Sequence, residues 1–207
     1  MVLLPLQKIN MKSKRDYIKQ FLLLVTLISC SALHAQAPSK WMPDHAKLQF
    51  AGGIGFFSIG AGYASRKKNV EGDVYYGYVP KSIGGVEIHA LTGKLTWFPL
   101  DPFVSGKMEW KPLSAGVLVN YTFGQQYFGF TPEKYPYDYY GHPTSIHAGI
   151  FLGGQLNRSF KSNAIRKIGV YYELGTFDVE LISYVNNRNS LRIGDILNLA
   201  LGLKASF

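Results

Sequence analysis

Hydrophobic and polar residues alternate strictly over the last eleven residues of the chain. From position 197 to position 207, every odd residue is apolar and every even residue is small or polar. Because alternate side chains of a strand point to opposite faces of a sheet, the pattern predicts a strand with one apolar face and one polar face. The wall of a transmembrane β-barrel, with lipid outside and polar groups inside, is built from such strands. An edge strand of a soluble β-sandwich shows the same pattern, so this strand alone leaves both architectures open.

The same alternation recurs along the chain, in segments of about 10 residues that are separated by turn residues. The further apolar rows run over residues 48–56, 57–63, 70–78, 86–90, 117–123, 146–152 and 168–174. Glycines or polar residues occupy the alternate positions, and no segment predicts a helix. The sequence therefore predicts an all-β fold, a transmembrane antiparallel up-and-down β-barrel over residues 47–207.

Both chain ends of such a barrel lie on the same side of the membrane, so the number of strands is even, and eight strands fit the length. Two arrangements give eight strands. In one, residues 47–64 form a single strand and the chain turns at Gly175. In the other, which we favour, Gly52 and Gly53 form a first hairpin, and residues 166–185 run as one long strand with only a bulge at Gly175.

The first 35 residues have the features of a secretory signal peptide. A basic segment precedes an apolar run of 13 residues, and Ala35 is a small residue suited to cleavage. We expect residues 1–35 to be removed, with Met11 as an alternative start of translation, and residues 36–46 to form a periplasmic lead-in. The residues before Cys30 also resemble a lipobox, the alternative in which this cysteine is acylated.

Charge and cysteine content narrow the classes of function. The chain has a formal charge of +9 and one cysteine. Five basic residues and one acidic residue lie within residues 1–35, so the predicted mature chain carries +5 and no basic stripe that indicates nucleic-acid binding. Loss of Cys30 with the signal peptide leaves no thiol for a disulfide or for a cysteine-ligated metal site.

A short stretch at residues 112–123 resembles a known family. It carries a characteristic set of residues on a predicted strand after a proline-containing turn: Gly116, Asn120, Tyr121 and Thr122. This hairpin is similar to that of small eight-stranded barrels of the outer-membrane protein W type. The layout of the whole chain is similar to that of the broader outer-membrane protein W/A-like superfamily of Gram-negative bacteria. The resemblance implies a barrel fold and an outer-membrane location, and it implies no catalytic residue.

Polar residues that alternate with the apolar rows are predicted to face the barrel interior. The candidate lumen network is Glu71, Asp73, Glu87, His89, Ser145, His147, Glu173 and Lys204. The same rows place Asn120, Lys167, Asp178, Glu180 and Asn198 inside. An eight-stranded barrel is just wide enough for side chains to fill it, and buried charges require partners. We therefore expect a hydrogen-bonded plug without enzymatic activity, metal or cofactor.

Three other interpretations stay open at the level of sequence. The lumen could form a narrow, porin-like passage or ligand tunnel for small solutes. Ser145 and His147, with His142 and Asp138 nearby, could supply a nucleophile and a base to a lipid-modifying enzyme. A metal ion could bind His89 and His147 if their strands adjoin.

The expected location is the bacterial outer membrane, and the expected partners follow from it. The apolar wall would contact outer-membrane lipid and lipopolysaccharide. The terminal aromatic residue Phe207, with Leu201 and Leu203 in the same row, resembles the signal that the outer-membrane assembly machinery recognises. The tyrosine-rich segment 127–140 would lie outside the cell, where it could bind an extracellular ligand. We predict a monomer with a structural or surface-binding role and no nucleic-acid partner.

Overall fold

Most of the regular secondary structure in the described part of the chain is β-strand. The structure is a computed structural model and describes residues 42–124, 126–128, 144–161 and 164–207. The strands are β1 (His45–Ala51), β2 (Phe57–Ala64), β3 (Val70–Val79), β4 (Ile88–Trp97), β5 (Phe103–Ser105), β6 (Met108–Phe123), β7 (Ile146–Ser159), β8 (Lys167–Phe177) and β9 (Asn198–Ser206). The helices are α1 (Lys81–Gly84), α2 (Asp178–Asn186) and the 3₁₀ helix η1 (Ile193–Ile196). Within the described residues, no helix has the length and hydropathy that a membrane-crossing helix needs.

Eight of these strands close into an antiparallel barrel. All consecutive strands pair with one another except β4 and β5, and β1 also pairs with β9. β4 pairs with β6, and the short β5 pairs with β6 beyond the end of β4. A closed sheet has no unpaired edge. The prediction of an all-β, up-and-down barrel of eight strands is therefore confirmed.

The two ends of the barrel carry different connections. The end that we call the terminal end holds the start of β1, the end of β9 and the connections 65–69, 98–107 and 160–166. The opposite end, the loop end, holds the connections 52–56, 80–87, 124–145 and 178–197. The two longest connections thus leave from the loop end. One of them contains the predicted ligand-binding segment 127–140, of which residues 129–140 lie outside the described residues.

The outward face of the barrel is apolar and layered. Exposed aliphatic side chains occupy the middle of the strands, among them Leu48, Ile59, Val74, Val117, Ile150 and Leu201. Exposed aromatic side chains lie towards the loop end at Phe50, Phe57, Tyr76, Tyr121 and Phe123, and towards the terminal end at Tyr63, Trp97, Phe103 and Trp110. The exterior is therefore an aliphatic band between two aromatic girdles.

The first hairpin distinguishes the two strand arrangements. β1 ends at Ala51 and β2 begins at Phe57, so the hairpin predicted at Gly52 and Gly53 is confirmed. Both glycines have φ near +78°, which strongly favours residues without a Cβ atom. A Cβ atom on Gly53 would also lie 2.3 Å from the ring of Phe177. This sharp turn therefore places the loop against the side chain of Phe177.

The prediction of one long strand over residues 166–185, without a helix, is wrong. β8 ends at Phe177 and α2 follows directly. The carboxylate of Glu180 accepts hydrogen bonds from the backbone N–H of Phe177 at 3.1 Å and from the hydroxyl of Thr176 at 3.3 Å. Asp178 and Glu180 also place negative charge in the first helical turn, where it is favourable. These contacts end the strand and start the helix.

The predicted outward row at residues 86–90 is also wrong. Ala90 faces the interior and is 6% exposed, whereas Leu91, Leu95 and Trp97 face outward. The connection 80–87, which contains α1, ends the alternation of β3, and β4 starts in the opposite phase. Residues beside this connection therefore lie on the face opposite to the predicted one.

Pro112 lies inside β6 and not in the turn that was predicted before a strand. The pairing of β6 with β7 is irregular between Lys111 and Ser114, and this irregularity accommodates a residue without an N–H group. After Ser114, β6 pairs regularly with β7 as far as Tyr121. It pairs regularly with β4 as far as Phe123.

The barrel begins inside the predicted lead-in, because β1 starts at His45. Residues 1–41 lie outside the described part of the chain.

Candidate functional site: the barrel interior

Six titratable side chains form a charged cluster inside the terminal half of the barrel. They are His45, Lys47, Glu71, Asp73, Lys111 and Lys204, each at most 6% exposed. Strand register brings them together, because they occupy inward positions of β1, β3, β6 and β9. Lys47, for example, lies directly opposite Lys204 in the β1–β9 pair. The predicted lumen residues Glu71, Asp73 and Lys204 are all members of this cluster.

The carboxylates of the charged cluster are multiply paired. The Lys47 ammonium donates to Glu71 Oε2 at 3.0 Å and to Asp73 Oδ2 at 2.7 Å. Lys204 donates to the other oxygen of Glu71, and His45 Nε2 lies 2.6 Å from Asp73 Oδ1. Each buried carboxylate therefore has at least two partners, as an anion removed from water requires.

A second polar layer lies deeper in the barrel. Lys94 forms an ion pair with Glu173 and donates to Gln49 Oε1 at 3.2 Å. The Tyr171 hydroxyl donates to the same Gln49 oxygen at 3.3 Å and lies 3.2 Å from the Tyr75 hydroxyl. These contacts link side chains from β1, β3, β4 and β8, so they connect opposite sides of the barrel wall.

Apolar side chains fill the interior next to the loop end. Ile54, Leu118 and Phe151 are each at most 6% exposed, and Phe177 packs against them. Ile54 belongs to the first hairpin, so the loop itself enters the barrel. Two voids among the interior side chains have volumes of about 10 Å³ each, room for at most about one water molecule.

Glu87 and His89 are not in the lumen, and the prediction is wrong for both. Glu87 is exposed in the connection before β4, where it accepts a 3.4 Å hydrogen bond from the Tyr78 hydroxyl. His89 faces outward on β4, and its Nδ1 lies 2.6 Å from the Tyr76 hydroxyl. The error for His89 follows from the phase of β4, which places odd-numbered residues outside, whereas Glu87 lies before the start of β4. Both side chains instead contact tyrosines near the loop end of β3.

Ser145 and His147 lie at the loop end of the interior, but they do not form a catalytic pair. Ser145 is 1% exposed, and the described residues give its Oγ no hydrogen-bond partner. His147 Nδ1 lies 3.2 Å from Asp178 Oδ1, and its Nε2 lies 3.3 Å from the carbonyl oxygen of Thr144. An activated serine needs a hydrogen bond to its base, and this arrangement directs both ring nitrogens elsewhere. His142 and Asp138, which were considered with them, lie outside the described residues.

The remaining predicted interior residues take part in smaller contacts. Glu173 is buried in the second layer, and Lys167 pairs with Glu109 at the terminal end. Asn120 donates to Thr92 Oγ1 at 2.8 Å, and Asn198 donates to both carboxylate oxygens of Glu180 at 2.8 Å. These polar side chains therefore contact partners on other strands and, for Asn198, on helix α2.

The geometry gives little support to metal binding. His89 and His147 lie on opposite faces of the wall, so they do not share a site. In the described part of the chain, His45, Glu71 and Asp73 have potential ligand atoms within 4.8 Å of one another. Lysine ammonium groups already neutralise both carboxylates of this set. The set is therefore an ion-pair cluster.

Several interior residues were missed by sequence reasoning, although a signal for them exists. His45, Lys47 and Gln49 alternate with Leu48 and Phe50 on β1. Lys94 likewise occupies the polar phase of β4, between Thr92 and Thr96. Their alternation with exposed apolar residues identifies them as inward.

The fold and its interior define the class of molecule: a small closed β-barrel with paired charges inside and apolar side chains outside. Comparisons with protein-family models, with curated proteins and with solved structures find no match. The structure is compatible with the outer-membrane protein W/A-like architecture through its eight antiparallel strands in one closed sheet.

Proposed function

We propose that the protein is a small β-barrel of the bacterial outer membrane, of the outer-membrane protein W/A-like type, with a structural or surface-binding role. The observation that carries the proposal is its reversed polarity. Lys47, Lys94, Lys111 and Lys204 are at most 6% exposed, whereas Leu48, Leu95, Leu201 and Leu203 are more than half exposed. A barrel in water would gain free energy from the opposite arrangement.

The layered exterior supports a membrane environment. Transmembrane β-barrels have an apolar band flanked by aromatic girdles at the two interfaces. Here the outward aliphatic residues lie between aromatic residues at both ends of the strands. Contiguous exposed apolar surface of this extent is unusual in a soluble monomer. Lipid and, in the outer leaflet, lipopolysaccharide are the partners that such a surface fits.

The filled interior supports a role without transport or catalysis. The charged cluster, the second polar layer and the apolar side chains at the loop end occupy successive levels of the barrel. The interior voids between the deeper layers hold about one water molecule each. The contacts of Ser145 and His147 do not provide an activated nucleophile. We therefore favour a plugged barrel over a solute passage or a lipid-modifying enzyme.

The loop end is the part of the molecule suited to external contacts. Its connections are the longest, and the one between β6 and β7 is closed at its base. There the Phe128 N–H donates to Thr144 Oγ1 at 3.0 Å, and the Thr144 N–H donates to the Phe128 carbonyl at 2.9 Å. We propose that the segment 127–140 lies outside the cell and binds an extracellular ligand. The barrel functions as a monomer in this proposal, and the assembly machinery recognises its last strand.

Thiol accessibility tests the membrane assignment. Residues 36–207 contain no cysteine, so single cysteines can be introduced in a Cys30→Ser background. The variants are Leu201→Cys, in the centre of the outward band, and Ile193→Cys, at the exposed loop end. In lipid nanodiscs, where both ends face water, we expect a hydrophilic maleimide to label Ile193→Cys and to leave Leu201→Cys unlabelled until urea is added. Equal rates of labelling at the two positions would contradict a bilayer around the barrel.

The same reagent tests location and orientation in cells. In Gram-negative cells that express the full chain, we expect Ile193→Cys to react in intact cells. Lys67→Cys, on an exposed turn of the terminal end, should react only after the outer membrane is permeabilised. The reverse pattern would invert the proposed orientation, and protection of both sites until lysis of the inner membrane would refute the outer-membrane location.

A further inference from the structure

The terminal end of the barrel opens into a polar cavity, which we call the vestibule. Its volume is about 360 Å³, far larger than the voids deeper in the interior. Lys111, Lys204 and Glu71 of the charged cluster form its floor, and Arg66 and Arg166 line it from exposed turns. A solute that enters from the terminal end therefore reaches buried ammonium groups directly.

The buried charges beneath the vestibule do not balance. Four lysines are at least nine-tenths buried, namely Lys47, Lys94, Lys111 and Lys204. Three carboxylates are buried to the same degree, namely Glu71, Asp73 and Glu173. The buried ammonium groups therefore outnumber the buried carboxylates by one. An uncompensated buried charge is strongly destabilising, so an anion at this point would be favourable.

Lys111 has the longest carboxylate contact of the buried lysines. Its ammonium lies 3.9 Å from the nearest oxygen of Glu71, too far for a hydrogen bond. It donates to the carbonyl oxygen of Lys68 at 3.0 Å, which uses one of its three donors, and it lies 3.9 Å from the centre of the Phe98 ring. Lys204 donates to Glu71. Among the described residues, both ammonium groups therefore retain N–H donors without a hydrogen-bond acceptor, and both lysines line the vestibule.

The rim adds further positive charge. Lys167 is paired with Glu109, and the Asp44 carboxylate accepts a 2.8 Å hydrogen bond from the N–H of Ala64. By contrast, the described part of the chain gives Arg66 and Arg166 no ion pair. Guanidinium groups bind the oxygens of phosphates in bidentate geometry. Compact anions with several acceptor oxygens match this combination of rim and floor.

We propose that the vestibule binds a phosphate group, carried either by a free phosphate or by a phospholipid headgroup. The phosphate lies against Lys111 and Lys204, accepts their unused donors and compensates the excess buried charge. Arg66 or Arg166 contacts its outward oxygens. The cavity volume leaves space for the group to which the phosphate is attached. This inference rests on the barrel and its interior, and it holds whether or not the barrel lies in the outer membrane.

Calorimetric titration of the full chain, refolded in an uncharged detergent and a phosphate-free buffer, tests the proposal. Inorganic phosphate is titrated at constant ionic strength, with chloride as the reference salt. In a second arm, mixed micelles contain either phosphatidic acid or phosphatidylcholine. Lys111→Gln should weaken phosphate binding about tenfold or more, since a hydrogen bond to a charged group contributes at least that factor. The matched control is Lys107→Gln, which removes the same charge from an exposed turn at the same end and should change the affinity by less than about twofold.

The outcomes separate the two sources of phosphate from a wrong proposal. Binding of inorganic phosphate that is lost in Lys111→Gln supports the site for a free phosphate. Binding of phosphatidic acid alone, with the same loss, supports the site for a headgroup. No binding in either arm, or equal weakening by Lys107→Gln, overturns the proposal. If Lys111→Gln does not fold, the double variant Arg66→Gln, Arg166→Gln at the rim replaces it, and unchanged affinity in that variant overturns the proposal as well.

Discussion

Glu71 is the carboxylate on which the charged cluster depends, and Glu71→Gln tests that dependence. The side chain is 2% exposed and accepts hydrogen bonds from Lys47 and Lys204, with Lys111 at 3.9 Å. Removing its charge leaves three ammonium groups beside the single carboxylate of Asp73. Breaking a buried ion pair by removing one partner costs about 3–5 kcal/mol. We expect a loss of unfolding free energy of that size, and the upper half of the range is favoured because two hydrogen bonds are affected.

Urea unfolding of the refolded barrel in uncharged lipid vesicles measures this loss, through the electrophoretic mobility that distinguishes folded from unfolded barrels. Glu87→Gln is the matched control, because Glu87 is exposed outside the barrel and its replacement should cost less than about 0.5 kcal/mol. The double variant Glu71→Gln, Lys204→Gln has the same net interior charge as the wild type. It should therefore be more stable than Glu71→Gln alone. A loss below about 1 kcal/mol in Glu71→Gln would refute the account, since even an average buried hydrogen bond contributes that much.

Three further predictions concern the wall, the interior packing and assembly. Leu201→Arg should lower the unfolding free energy in vesicles by about 2–4 kcal/mol, the cost of a cation at the bilayer midplane, and an unchanged value would contradict a lipid-facing Leu201. Gly202→Ala should cost about 1–3 kcal/mol, because its Cβ atom would lie 2.1 Å from the ring of the buried Tyr171. Gly93→Ala, whose Cβ atom would meet nothing within 4 Å, should cost nothing in the same urea titration. Deletion of Phe207 should reduce the amount of folded barrel in outer-membrane fractions while export to the periplasm continues, and normal amounts would refute the role of Phe207 as an assembly signal.

Much of the fold was predictable because a barrel wall imposes a period of two on each strand. The alternation over β9 and β8 identified outward residues such as Leu201 and Val170 correctly. The errors occur where a connection changes the phase or ends a strand. The acidic residues Asp178 and Glu180 signal a helix start, but the apolar alternation before them was extended through this signal. Likewise, the connection that contains α1 interrupts the alternation between β3 and β4, so His89 lies on the outward face and not on the predicted inward face.

The polar character of the interior was predictable, but the partners of its side chains were not. Alternation identified Glu71, Asp73 and Lys204 as inward, yet it cannot state which strands lie across the barrel from one another. The contact between Lys94 and Glu173 depends on closure of the sheet and joins residues 79 positions apart. The entry of Ile54 into the barrel was also hidden, because residues of a hairpin loop do not follow the strand period. Charge balance could be assessed only after these partners were assembled.

Single-channel recording in planar bilayers tests the central claim, that the barrel is closed by its own side chains, most directly. The refolded protein is added to the solutions on both sides of the bilayer. The current is then recorded over a range of voltages in a salt solution free of phosphate. The account predicts no steady conductance from the wild-type barrel, because the charged cluster, the second polar layer and the apolar side chains fill the interior. A stable, ion-selective conductance that changes with Glu173→Gln would contradict it and would show that the interior is a pore.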